Sequence, residues 1–157
     1  MESLSNANIS RLPTQLPGTE YHVHIPDGRY VVGYMGYEGF RFFRDPRVIM
    51  WLVILEGEYA GKFVPAYYNV KERGEWLRPR CRSPEFVVGQ KAKLAIDLGM
   101  LDSRLSPSNL PTSISDSLMR SRPILVETGT IKKCSDGHPK PDAFHGSKVV
   151  RIMGWAE

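Results

Sequence analysis

The sequence predicts a mainly β domain: a five-stranded OB-fold barrel with one helix between the third and fourth strands. Three observations carry this expectation. Alternating or β-branched segments recur at residues 25–43, 48–55, 62–70, 122–133 and 148–155, each bounded by turn residues. A single stretch, Ser83 to Gly99, has the spacing and the end residues of a helix, and it falls between the third and fourth of those segments. The first segment, IPDGRYVVGYMGYEGF, sets Gly28, Gly33, Gly36 and Gly39 among Tyr30, Tyr34, Tyr37 and Phe40. Glycines and bulges are how a strand bends. The first strand of such a barrel must bend sharply to serve both halves of the sheet.

Residues 1–18 are rich in Ser, Asn and Pro without periodicity, so we expect a flexible N-terminal arm ahead of one domain at 19–157. In the first strand, alternation puts Tyr30, Val32 and Tyr34 on one face and Val31, Gly33, Met35 and Tyr37 on the other. RDPR at 44–47 is a turn, with Pro46 as the breaker. VIMWLVIL follows, apolar on both faces, which suits a central buried strand with Trp51 in the core. After the loop EGEYAG, KFVPAYYNV directs Val64, Ala66, Tyr68 and Val70 inward and Phe63, Pro65, Tyr67 and Asn69 outward. Pro65 has no N–H for a ladder, so an edge or a bulge is expected there.

KERGEWLRPRCRSPE is a basic loop. In the helix that follows, Ser83 serves as N-cap and Pro84 as first helical residue. Val87, Leu94, Ala95 and Leu98 share its face, and Gly99 is its stop. Residues 102–122 are Ser/Pro-rich, with a short helix around SISDSLMR. The last two strands flank a long polar loop, CSDGHPKPDAFHGS.

Composition narrows the function classes. A chain of 157 residues can bury one core. Lys and Arg number 21 against 17 Asp and Glu, for a net charge of +4. That is a mild lean toward polyanionic partners, far from histone-like. Cys81 and Cys134 sit in polar sequence and imply no disulfide framework. No signal-peptide pattern opens the chain, and its longest apolar run is too short to span a bilayer, so a cytoplasmic protein without a membrane partner is expected. There is no phosphate loop, no nucleophile elbow and no His-Glu-x-x-His; Asp97, Asp102 and Asp116 are scattered. No enzyme and no cofactor are expected. Cys81, Cys134, His138 and His145, like His22 and His24, lack the paired spacing of zinc modules, and no metal is expected.

Binding a single strand without sequence preference takes a basic groove for phosphates and aromatic faces for bases. The ring candidates are Tyr34 and Tyr37 on the first strand, Phe63 and Tyr67 on the third, and Trp76 inside the basic loop. The cationic candidates are Arg41 and Arg44 with Arg47 at the first turn, then Lys62, Lys71, Arg73, Arg78, Arg80 and Arg82. Arg78, Arg80 and Arg82 occupy alternate positions, which point the same way in extended chain.

IPDGRYVV, LEGEYAGKFVPAYYNV and KLAIDLGM give this chain a family likeness over roughly residues 25–101. It resembles a phage and mobile-element family of predicted single-stranded DNA-binding proteins, described as a domain of unknown function (DUF669-like). The opening strand, the Gly-Glu-Tyr-x-Gly-Lys hairpin and the helix end carry the likeness. The basic loop at 71–85 and the long loop at 134–147 depart from the family pattern. The resemblance implies an OB-fold that binds single-stranded nucleic acid during replication or recombination of a phage, plasmid or integrative element. RNA in place of DNA, a second copy of the chain, and recombination or replication proteins stay open as partners. The other reading is an OB-fold module for protein interaction or assembly that binds no nucleic acid, since OB barrels serve many functions.

Overall fold

Residues 16–17, 21, 23–42, 44–74, 76, 80–131 and 146–156 are described by the structure, a computed structural model. It is mainly β. The strands are β1 (Gly28–Phe42), β2 (Asp45–Ile54), β3 (Phe63–Asn69), β4 (Lys71–Glu72), β5 (Arg80–Arg82), β6 (Phe86–Val87), β7 (Ile124–Ile131) and β8 (Gly146–Trp155). Two short helices, α1 (Lys93–Gly99) and α2 (Asp116–Met119), lie between β6 and β7.

The main sheet runs β3–β2–β1–β7–β8 with every pair antiparallel, and β5 adds to β1. One edge of β1 carries β2; the other carries β7 along Gly28–Val32 and β5 along Glu38–Phe40. The long first strand thus joins two parts of the sheet, as its glycines suggest. β3 and β8 approach within 8 Å at their Cα atoms. No ladder joins them among the described residues, so the described pairings leave the sheet open there. Pro65 sits on β3, at the end of the strand order, where its missing N–H costs no ladder bond on the far side.

The bend in β1 is a bulge. Tyr34 lies opposite Leu52 and Gly36 opposite Trp51, so Met35 is an extra residue. Gly36 has φ 145°, in the region that favours glycine. The extra residue reverses the alternation beyond it. Tyr34 and Tyr37 therefore end on the same, inner face, with 3% and 1% of their surfaces exposed. Simple alternation places them on opposite faces, and the bulge corrects that expectation.

The main core lies on that inner face. Val32, Tyr34, Tyr37, Met50, Leu52, Val64, Ala66 and Tyr68 pack with Phe86, Leu94, Leu98, Met119, Ile124 and Ile152. Tyr68 is in this core, as expected. Its hydroxyl donates to Asp97 on α1 at 2.9 Å, and Lys93 holds the same carboxylate at 2.8 Å. Tyr34 donates to Asp116 of α2 at 2.6 Å. A second apolar cluster, Ile49, Trp51, Val53, Leu55 and Phe63, lies on the outer face. Trp51 is buried, as the sequence indicates.

The helix is shorter than its end residues suggest. Ser83 takes φ 52° and is no N-cap, while Phe86–Val87 pairs with Lys71–Glu72 as a strand. Helix begins only at Lys93, and it ends at Gly99 as expected. The reason is local packing: Pro84 is wedged against Gly39 and Trp76, and the Phe86 amide is taken by the Thr112 carbonyl. Val87 is consequently exposed rather than part of a buried helix face. α2 falls within the expected SISDSLMR, with the Ser115 hydroxyl accepting from the Leu118 amide at 3.3 Å. Among the described residues no helix is long and apolar enough to cross a membrane.

Candidate nucleic-acid interface

Residues directly opposite in an antiparallel ladder put their side chains on the same face. The registers of β5, β1, β2 and β3 therefore lay out the outer face in rows. One row reads Arg80, Phe40, Arg47, Asn69; the next reads Arg82, Glu38, Ile49, Tyr67. Further along β2 come Gly36, Trp51, Pro65 and then Gly33, Val53, Phe63. With strands ~4.8 Å apart, a four-strand row spans about 14 Å. Arg80 and Arg82 share a face, as their alternate positions imply.

Charge on this face is organised around one buried acid. Glu38 is 3% exposed and accepts from the Trp51 indole at 3.1 Å. Arg80 grips both of its oxygens, through Nε at 2.8 Å and through a guanidinium NH2. The same NH2 donates to the Pro17 carbonyl. Arg82, beside this pair, is exposed. Phe40 and Tyr67 are half-buried and pack on the margin of the outer cluster. Burial pushes the Tyr67 phenol up from its ordinary pKa.

The expected site residues divide accordingly. Tyr67, Arg80 and Arg82 meet on the outer face. Phe63 belongs to it but is buried under Tyr21 at a ring distance of 6.2 Å. Arg44 is exposed at the β1–β2 turn and Lys62 just before β3, so they mark opposite ends of β2. Tyr34 and Tyr37 are core residues with no face available to a base; the Tyr37 hydroxyl donates to the Pro84 carbonyl at 2.6 Å.

Trp76 is also a core residue, 4% exposed, with its indole N–H on the Glu85 carbonyl at 2.9 Å. It cannot stack with a base from there. Arg41 has the opposite parity to Phe40 and turns to Glu72, at 2.6 and 2.9 Å, and to the Trp76 carbonyl at 2.8 Å. That bidentate pairing holds the Glu72 carboxyl below its usual range. Arg73 lies 4.0 Å from Glu85. Arg78 lies outside the described residues.

Four participants have no obvious mark in the sequence. Phe40 comes onto the outer face only because the bulge resets parity. Glu38 reads as one more surface acid until its partners are seen. Leu16 and Tyr21 pack on the outer cluster from a segment with no periodic pattern. Among the described residues no group of His, Cys, Asp or Glu gathers as a metal site. His22, Cys134, His138 and His145 lie outside the described residues. No family model, curated protein or solved structure matches the chain.

Proposed function

We propose that this chain binds single-stranded nucleic acid, DNA in the first instance, on the outer face of β5–β1–β2–β3. The observation that carries the reading is the row arrangement itself: Arg80 and Arg82, Phe40, Arg47 and Tyr67 share one side of a curved sheet. Phosphates would follow the arginines, and bases would stack on Phe40 and Tyr67, with no chemistry performed on the strand. The order β3–β2–β1–β7–β8 would suit an OB barrel; β3 and β8 come close, and no ladder joins them among the described residues. In such barrels the face built on the second and third strands is the usual binding surface. The likeness to a phage and mobile-element single-strand-binding family points the same way and suggests replication or recombination as the setting.

The test is a salt titration of labelled oligo-dT against a duplex of equal length. Arg80→Ala is a poor probe, since it strands the buried Glu38 carboxylate. Arg82→Ala is the better one. It should weaken single-strand binding and reduce the log–log salt slope by about 0.7, the value for one lost phosphate contact. Tyr67→Ala should weaken binding about fivefold or more at every salt concentration with the slope unchanged, because stacking releases no counterions and is worth ~1–3 kcal/mol per base. A wild-type chain that ignores oligo-dT at moderate salt refutes the proposal.

A protein-interaction module is the second reading. One observation favours it: Ile96 and Met100, one helical turn apart at α1, are 56% and 52% exposed.

A further inference from the structure

The outer face is already partly occupied by the chain itself. Tyr21 meets Trp51 edge-on at 5.8 Å and Phe63 at 6.2 Å, and those two rings lie 6.1 Å apart. Leu16 packs over Gly36, its Cδ1 3.5 Å from where a β-carbon would stand there. The Pro17 carbonyl takes a hydrogen bond from Arg80. These contacts leave Trp51 and Phe63 at 1% and 7% exposure and put a protein acceptor on an arginine of the proposed binding face. Leu16, Pro17 and Tyr21 carry no charge; apolar contact holds the cover in place, together with the Arg80–Pro17 hydrogen bond and one between the Tyr21 hydroxyl and the Phe63 backbone.

We propose that Leu16, Pro17 and Tyr21 together act as a displaceable strap that competes with a single strand for the same face. The inference rests on the single-strand reading above. With the strap lifted, Trp51 and Phe63 would extend the stacking surface of Phe40 and Tyr67, and a base cannot lie on those two rings while Tyr21 does. A phosphate oxygen is the natural replacement for the Pro17 carbonyl on Arg80, whose grip on Glu38 stays intact. The strap then works as a threshold. Apparent affinity equals the intrinsic affinity scaled by the fraction of chains with the face open, and what weakens the strap tightens binding. Linkage makes the effect reciprocal: the strand must also lift the strap.

Two measurements on the full-length chain test this. Leu16→Ser with Tyr21→Ser should bind labelled oligo-dT about fivefold or more tightly than wild type. In the unmodified chain, oligo-dT should speed chymotrypsin cleavage after Tyr21. If the variant melts as wild type does but binds equally or more weakly, the strap is refuted while single-strand binding stands. If neither chain binds oligo-dT, the binding reading falls and the strap falls with it. Should the variant fail to fold, the cleavage measurement decides alone: protection of Tyr21, or an unchanged rate, overturns the strap.

Discussion

A methyl group added at Gly39 would sit 2.6 Å from the Pro84 Cγ and 2.8 and 2.9 Å from two Trp76 ring carbons. Those distances are too short for carbon, so the ring and the proline must move. Gly39→Ala should cost about 1–3 kcal/mol, the usual penalty for overpacking. Gly28→Ala, with nothing within 4 Å, is the control and should be near-silent in the same urea titrations. The pattern of glycines in the first strand was visible in the sequence, but their different duties were not. Gly36 permits a bulge, whereas Gly39 makes room for an indole from a loop some forty residues on. Tyr68 could be placed by alternation because its strand is regular, and Trp51 because its strand is apolar on both faces. Tyr34 and Tyr37 could not, because one inserted residue between them leaves no mark in composition.

Among the elements, the helix departs furthest from its sequence pattern. Ser83–Pro84 has the residues of a helix start, yet the backbone there is committed to the distant first strand: the Ser83 amide donates to the Tyr37 carbonyl, and the Pro84 carbonyl accepts from the Tyr37 hydroxyl. Were residues 83–99 one helix with Val87 on its buried face, Val87 and Leu98 would be equally costly to remove. The structure gives them opposite environments, at 44% and 5% exposure. Val87→Ser should change stability by no more than ~0.5 kcal/mol, while Leu98→Ala should cost about 2–5 kcal/mol. Equal losses in chemical denaturation would return the longer helix. The strands were legible because period-two alternation survives wherever one face is buried. The short β4, β5 and β6 were not, since two or three residues carry no period.

For the molecule as a whole, buried tyrosines set the alkaline limit. Burial pushes the Tyr37 phenol up to about 12, and burial with the neighbouring carboxylates of Asp116 and Asp97 also raises Tyr34 and Tyr68 well above the ordinary phenol. An unfolded tyrosine ionises near ~10. The folded state thus holds protons that the unfolded state releases. Stability is complete below pH ~10 and declines as pH climbs from there toward about 12. Urea midpoints measured from pH 8 to 11 should be flat at first and then fall, with tyrosinate absorbance from the buried rings appearing only on unfolding. Buried rings that ionise in the folded chain with normal midpoints would refute the core assignments. Which side chains meet on the outer face was half legible in the sequence. Tyr67, Arg80 and Arg82 follow from local alternation, while Phe40, Glu38 and Tyr21 depend on register and on long-range packing.

β1 also sets the order in which the chain can assemble. Its pairing with β2 closes through a tight turn and can form early. Its pairing with β7 joins Gly28 to Thr128, one hundred residues apart. Such distant closure is slow, because chain entropy is lost before any contact rewards it. On the ribosome, the Gly28–Val32 edge therefore emerges long before its partner strand is made. Through that interval it presents unsatisfied backbone and apolar side chains to other chains. Slow synthesis or crowded expression would expose this edge longest, and aggregation of the nascent chain should begin there rather than at the finished surface.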